Sequence, residues 1–291
     1  MRISHNISAM NTYRQYNANA IAASKSMEKL SSGSRINRAA DDAAGLSISE
    51  KMRSQIRGLT QAIRNAQDGI SFLQTAEGAL NEVSDMLIRL KELAVQVQNG
   101  TYSSDDKANI GAEMDALGKA ITEIYMNTKF NGIAVFGEQS DANGFAVNNG
   151  VAVAASIAYG EDGGQTVEIL AATTQKIGAL FTKTSAVGDA TDTDGKAQAA
   201  VNVTVTEVEA AITEVNTTRA AYGALQNQLE HASNNMATTK ENLQAAESRV
   251  RDVDMAEEMM EYTKNNILLQ AAQSMLAQAN AQPQGVLQLL R

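Results

Sequence analysis

Cysteine is absent from the 291 residues, which excludes disulfides, thiolate nucleophiles and Cys-ligated metals and leaves stability to packing. Tryptophan is absent too, aromatic residues make up only 4%, and the single proline is Pro283, so little interrupts helices in a chain rich in Ala, Gln, Asn, Ser and Met. Positive charge is in deficit, with 24 Lys and Arg against 33 Asp and Glu, and the net −9 argues against a nucleic-acid binder, which needs a basic face to neutralise phosphate. Long apolar runs are missing as well. The longest uncharged segment, Asn265 to Leu290, is broken by Gln270, Gln273, Gln278, Gln282, Gln284 and Gln288, so no membrane insertion is expected. Met1 to Ala20 lacks the apolar run of a secretion signal, and export, if it occurs, is expected by another route.

Catalytic constellations are equally scarce. The only histidines, His5 and His231, lack metal-pair spacing, and Asp192-Thr193-Asp194-Gly195 is a partial echo of a Ca²⁺ loop and no more. Neither a phosphate-cradling glycine loop nor a nucleophile elbow is present, so neither an enzyme nor a cofactor is expected. The pairs Asp41-Asp42, Asp105-Asp106 and Glu257-Glu258 sit about 100° apart on a helix and diverge, which makes them solvated faces or caps.

What is present is periodicity. The 44% apolar content suffices for a core. Ile48, Met52, Ile56, Leu59, Ile63, Ala66, Ile70, Leu73, Ala76, Leu80, Val83, Leu87, Leu90, Ala94 and Val97 recur by threes and fours and predict one long amphipathic helix ending near Asn99-Gly100. A second helix, with the stripe Ile110, Met114, Leu117, Ile121 and Ile124, is expected from the Ser103-Ser104-Asp105-Asp106 cap to the Phe130-Asn131-Gly132 turn. In a third, Val201, Val208, Val215, Tyr222, Leu229, Met236, Leu243 and Val250 fall seven apart, and Ala211, Leu225, Ala232, Ala246 and Val253 widen the seam, which predicts lengthwise coiled-coil packing.

Between these helices the composition turns to Gly, Asp, Thr and Val. Turns are expected at Asn143-Gly144 and Glu161-Asp162-Gly163-Gly164, with strands over Val151 to Ile157 and Gln165 to Leu170, a small exposed β-hairpin excursion. The fold class is therefore mainly α: a long coiled-coil-like helical bundle with a small β-hairpin excursion.

The ends differ from the middle. Residues 1–40 carry Arg2, Arg14, Lys25, Lys29, Arg35 and Arg38 against Glu28 alone, while Asp252, Asp254, Glu257, Glu258 and Glu261 make the last segment acidic, so the ends complement each other. Their apolar residues form thin stripes: Ile3, Ile7, Met10, Ile21, Met27 and Leu30 in one, and Met255, Met259, Tyr262, Ile267, Leu268, Met275, Leu276, Val286 and Leu289 in the other. Segments this poor in apolar surface are expected to be loose in a monomer and to fold when a neighbouring copy covers them. Met255, Met259 and Met260 read as adaptable core rather than as a binding surface.

The chain resembles bacterial flagellin in specific residues. The opening Met1-Arg2-Ile3-Ser4-His5-Asn6-Ile7, the stretch Leu30-Ser31-Ser32-Gly33-Ser34-Arg35-Ile36-Asn37 and Ala40-Asp41-Asp42-Ala43-Ala44-Gly45-Leu46 carry the resemblance at one end. Glu92-Leu93-Ala94-Val95-Gln96 and Phe130-Asn131-Gly132 carry it inside. Ser274-Met275-Leu276-Ala277-Gln278-Ala279-Asn280 and Pro283 to Arg291 carry it at the other end, so that it covers 1–136 and 200–291.

The resemblance implies a subunit that polymerises with itself into an extracellular flagellar filament for swimming motility, exported unfolded through a flagellum-specific type III channel. It implies that the terminal helices pair as an inner coiled-coil domain, 1–40 with 250–291, beside a helical-bundle domain, 41–136 with 200–249, that carries the small variable excursion 137–199. It assigns the terminal helices to polymerisation, through Ile3, Ile7, Met10, Leu30, Leu268, Met275, Leu276, Val286 and Leu289. It implies partners in an export chaperone held by the C-terminal segment, the filament cap and the hook–filament junction proteins. It also implies recognition by the flagellin-sensing Toll-like receptor through Arg89, Leu93 and Glu113, with Ile88 and Lys91 standing where glutamine and arginine are common. The short 137–199 stretch implies a minimal form with a smooth filament. Two rivals remain: a hook–filament junction protein, which the continuous 40–45 motif and the 283–291 ending disfavour, and a cytoplasmic helical scaffold, which would explain the heptads but not the terminal motifs.

Overall fold

A computed structural model describes residues 6–136, 153–160, 164–170 and 203–289, with 153, 154, 170 and 283–289 described by backbone alone. Ile3, Asn143-Gly144, Glu161 to Gly163, Asp192 to Gly195, Val201 and the side chains of Val286 and Leu289 lie outside the described set. Among the described residues there are five helices, α1 (Ile7–Ser32), α2 (Ala43–Val97), α3 (Ser104–Asn127), α4 (Val205–Arg251) and α5 (Met255–Leu289), and four short strands. The chain divides into two compact units, Arg57–Thr239 and Met1–Ile56 with Lys240–Arg291.

The unit Arg57–Thr239 is built as its periodicity dictates. Leu73, Ala76, Leu80, Val83, Leu87 and Leu90 are fully buried along α2, and the stripe runs through Gly58, Gly69 and Gly78 without a break because its continuous burial outweighs their helix cost of about 1 kcal/mol each. On α3, Ile110, Met114 and Ile121 face the core; the helix starts in a reciprocal cap in which the Ser103 hydroxyl accepts Asp106 N–H and the Asp106 carboxylate accepts Ser103 N–H. On α4, Val208, Ala211, Val215, Tyr222, Leu229 and Met236 are buried in the expected heptad line.

Two hairpins close this core. Strands β1 (Lys129–Phe130) and β2 (Ile133–Ala134) are joined by Asn131 and Gly132, whose φ angles of 50° and 82° give the left-handed pair that a two-residue hairpin needs. The turn sets Phe130 edge-on against Phe72 at 5.8 Å and leads into the buried Val135 and Phe136, the latter 4.7 Å from the Tyr125 ring. Burial pushes the Tyr125 hydroxyl pKa well above its ordinary value.

Strands β3 (Val153–Ala158) and β4 (Thr166–Leu170) pair antiparallel, close to the expected spans. The exposed-excursion expectation needs correction over this part. Val167 and Ile169 are buried, Asn65 Nδ2 donates to Ala158 O at 3.0 Å, and Ile157 lies so close over Gly69 that a Cβ there would come within 2.2 Å of its Cδ1. The hairpin is docked on α2 because its alternate residues are apolar and Gly69 leaves room for them.

Candidate assembly surface

The second unit, Met1–Ile56 with Lys240–Arg291, reverses the usual rule. Its α1 and α5 run antiparallel: Asn6 Nδ2 donates to Ala279 O at 2.8 Å near one end, and Lys29 Nζ meets Glu258 Oε2 at 3.2 Å near the other. The residues with reduced exposure on α1 include Ala9, Thr12, Tyr16, Asn19, Ala23, Ser26 and Leu30, an alternation of threes and fours. On α5 the buried line is Glu258, Asn265, Ala272 and Ala279, seven apart, with the half-buried Tyr262, Leu269 and Leu276 beside it. The most buried line of this seam is made of small and polar side chains, flanked by the half-buried Tyr16, Leu30, Tyr262, Leu269 and Leu276.

The large apolar side chains point the other way. Ile7 is 66% exposed, Met10 65%, Ile21 70%, Met260 68%, Ile267 61% and Met275 62%. At 100° per residue, Met260, Ile267, Leu268 and Met275 form one stripe on α5, centred about 120° from the seam. Met255 and Met259 are also half exposed, which overturns their reading as core: the positions facing α1 are Glu258 and Tyr262, and the methionines fall outside them. Ile48 of the long α2 stripe is likewise 50% exposed, while its neighbour Ser49 is fully buried.

Of the residues expected to act in polymerisation, Ile7, Met10, Leu268 and Met275 are thus exposed, and Leu30 and Leu276 are half-buried in the seam. Ile3, Val286 and Leu289 have no described side chains.

A polar joint ties the two chain segments together beside the seam. Helix α1 ends at Gly33 (φ 70°), whose N–H donates to Lys29 O; the turn brings Ser34 into an antiparallel bridge with Asp252. Arg35 N–H donates to Arg251 O at 2.7 Å, Val253 N–H to Gly33 O at 3.1 Å, and the Arg35 guanidinium to Val250 O at 2.7 Å. Asp41 closes the following loop by accepting the N–H groups of Asn37 and Arg38 and pairing with Lys25 at 2.8 Å. The Lys25 hydrogen bond, then the Arg38 N–H, lower the Asp41 pKa to about 2. Arg38 pairs with Glu28, and two ion pairs, Arg53 with Glu247 at 2.8 Å and Arg251 with Glu50 at 2.6 Å, hold α2 against α4 below the joint.

The paired carboxylates resolve differently from one another. Asp42 and Asp106 cap helices and Asp254 caps α5, but Glu258 is 6% exposed, not solvated, because the heptad carries it into the seam opposite Lys29. The pairing of the terminal helices was expected, but the residues that face each other across it and the joint were missed. Counting sevens on small and polar residues of the last segment would have found Glu258, Asn265, Ala272 and Ala279.

The three residues singled out for receptor recognition lie in the other unit. Arg89 bonds Glu113 at 2.9 Å and Glu92 at 2.9 Å on an exposed surface, and the two carboxylates, Glu113 foremost, raise the arginine pKa. Leu93 is not part of that surface: it is 2% exposed and packs into the core beneath. Lys91 pairs with Glu209 at 2.9 Å, and Ile88 is 48% exposed.

A heptad-packed bundle joined to a terminal helix pair that turns its apolar residues outward defines a self-associating helical structural protein. Comparison gives the family. The bacterial flagellin N-terminal helical region matches residues 3–141 and the bacterial flagellin C-terminal helical region matches 205–290. Over the full length of both chains, the sequence is 49% identical to the flagellin of Halalkalibacterium halodurans, 47% to that of Bacillus subtilis and 44% to the flagellar filament 33 kDa core protein of Treponema phagedenis. A solved flagellar hook-associated protein from Vibrio parahaemolyticus shares the fold at 15% identity, with a TM-score of 0.57 over 73% of this chain and all of that one. The chain belongs to the bacterial flagellin family: it is a structural subunit of the extracellular flagellar filament and not an enzyme. Among the described residues no helix is long and apolar enough to cross a membrane.

Proposed function

We propose that the filament forms by coupled folding of the terminal helices, the outward residues Ile7, Met10, Ile21, Met260, Ile267, Leu268 and Met275 being covered by neighbouring copies as α1 and α5 become ordered. The observation that carries this reading is the inverted burial of the terminal pair, with Ile267 61% exposed while Asn265 is 8% exposed two residues away. A seam whose most buried residues are Ala, Ser, Asn and Glu, and whose Leu30, Leu269 and Leu276 are only half-buried, removes limited apolar area from water, so the pair gains much of its stability only when the outer stripes are buried as well, at about 25 cal/mol per Å². A head-to-tail contact that does not close then builds a helix of subunits. In this arrangement 1–40 with 250–291 lines the filament and 41–136 with 200–249 forms the surrounding shell.

Deleting residues 1–20 or 272–291 is expected to abolish filaments while Arg57–Thr239 keeps its helicity, as read by electron microscopy and circular dichroism. Normal filaments from either truncation would sink the reading. Unfolded export through the flagellar type III channel, capture of the C-terminal segment by an export chaperone, and contacts with the cap and the hook–filament junction proteins follow from the same loose termini.

A second reading has its own observation, the exposed Arg89–Glu113–Glu92 cluster. It offers a fork-shaped cation framed by carboxylates to a partner surface such as the flagellin-sensing Toll-like receptor, with Leu93 supporting the helix from beneath. Arg89→Ala is expected to reduce activation of receptor-bearing cells at least tenfold at equal protein concentration. Activation equal to the parent's would remove the receptor role.

A further inference from the structure

We propose that the Gly33-Ser34-Arg35 and Val250-to-Val253 joint is the nucleus from which the terminal helix pair zips up, with Gly33 as the positioning residue that makes it possible. The proposal rests on the coupled-folding reading above and says where that folding begins.

The bonds that fix the terminal segments, counting those of the joint, are unevenly distributed. Around the joint stand three main-chain or guanidinium–carbonyl hydrogen bonds, two of which make the Ser34–Asp252 bridge, together with the Lys29–Glu258 pair and the bonds of Asp41 and Arg38 that fix the following loop to α1. Buried Ser26 and Glu258 belong to the same end. Toward the free ends the described residues offer one such bond, from Asn6 to Ala279 O, over a seam of Ala9, Thr12, Ala272 and Ala279. Small side chains flanked only by the half-buried Tyr16, Leu269 and Leu276 are a poor start for a pair, because the first turn of any helix costs more than it returns and must be offset by contacts. Starting at the free ends would also mean closing a loop that includes both whole segments.

At the joint that closure is already made. The Arg53–Glu247 and Arg251–Glu50 pairs hold the ends of α2 and α4 side by side, which delivers residues 33–35 to residues 250–253 before either terminal helix forms. Gly33 then decides whether the bridge can form. Its φ of 70° turns the chain so that its own C=O accepts Val253 N–H while Arg35 N–H reaches Arg251 O. A Cβ at this position would meet nothing within 4 Å, so a substitution there probes backbone conformation and not space.

The test uses the full-length chain in seeded elongation with pulsed hydrogen exchange. In the parent, amides of 23–32 and 255–262 are expected to gain protection before those of 7–16 and 270–280. Gly33→Val, which disfavours the left-handed conformation, is expected to slow elongation at least tenfold and to erase that order. Gly33→Asn, which tolerates the conformation, is expected to restore most of the rate. Far ends protected first or simultaneously, Gly33→Val elongating like the parent, or Gly33→Asn as slow as Gly33→Val would each overturn the proposal. So would loss of protection within Arg57–Thr239 in Gly33→Val, since the joint would then be supporting the whole fold. If the parent itself fails to elongate, the filament reading falls, and the joint is judged by the exchange order within the monomer.

Discussion

Asp41 shows how much of the joint's electrostatics can be read from a single carboxylate. Its oxygens are committed to Lys25 and to the N–H groups of Asn37 and Arg38, and these bonds stabilise the charged form, so its pKa falls to about 2. An acid whose folded pKa is depressed contributes stability that is present above its unfolded pKa, about 4, and lost as pH falls through about 2. Lys25 has the opposite sign. Its pKa is raised by the same bond to Asp41, so its contribution is lost only as pH rises past the ordinary lysine range. The loop is therefore expected to hold across neutral pH and to loosen between about pH 4 and pH 2. The backbone amide shifts of Asn37 and Arg38 should titrate with a midpoint near 2, and Asp41→Asn should remove the titration. A midpoint near 4 would mean that the carboxylate is not engaged.

At the scale of the element, the same residue types behave oppositely in the two units. On α4 the heptad runs from fully buried Val208 and Leu229 to half-buried Leu243 and Val250, so Leu229→Ala is expected to cost about 2–5 kcal/mol and Leu243→Ala about 1 kcal/mol, measured by denaturant unfolding. Equal costs would mean that the seam is uniformly packed along its length. The β3–β4 hairpin gives a second comparison. Gly69→Ala gains about 1 kcal/mol of helix propensity but drives a methyl into Ile157, an overpacking cost of about 1–3 kcal/mol. The substitution should therefore destabilise the parent and become less costly, or stabilising, in an Ile157→Val background that lacks the clashing Cδ1. Identical effects in both backgrounds would remove the docking contact.

These elements also explain what could be read in advance. Leu73, Leu80, Leu87, Val208, Val215 and Leu229 announced α2 and α4 because there the buried side and the apolar side coincide. In α5 they do not. The apolar residues mark the outer stripe, whereas the partner-facing line is Glu258, Asn265, Ala272 and Ala279, to which a hydrophobic period is blind. The joint was legible only as a string of motif residues, since nothing in Ser32-Gly33-Ser34-Arg35 says that Arg251 lies opposite, 216 positions away in sequence. Of the residues proposed for polymerisation, apolar periodicity marked Ile7, Met10, Leu268 and Met275, which are exposed, and the inward placement of Leu93 was missed because its helix face depends on what packs beneath it.

At the scale of the whole molecule, assembly sets a general repulsion against a local attraction. Every copy carries a formal charge of −9, so stacking copies concentrates like charge, whereas the outward stripes of α1 and α5 set their large apolar residues among a few charges of both signs, Arg14, Glu257 and Lys264 among them. Salt separates the two terms, because it shortens the screening length from about 30 Å at 0.01 M to about 8 Å at 0.15 M and leaves the burial of Ile267 or Met275 nearly unchanged. The net charge should decide the sign, since exposed ion pairs between copies contribute only about 0–1 kcal/mol each. The critical concentration for filament formation is therefore expected to fall severalfold over that range, and to fall again as pH is lowered toward the sequence pI of 4.9. Ile267→Gln and Met275→Gln should each raise it about tenfold or more at every salt concentration, because each removes about 1.5–3 kcal/mol of buried apolar side chain from the contact while leaving the charge unchanged. Sedimentation of polymer from monomer measures both effects. A critical concentration that rises with salt, or that ignores the two glutamines, would show that ion pairs and not the apolar stripes hold one copy against the next.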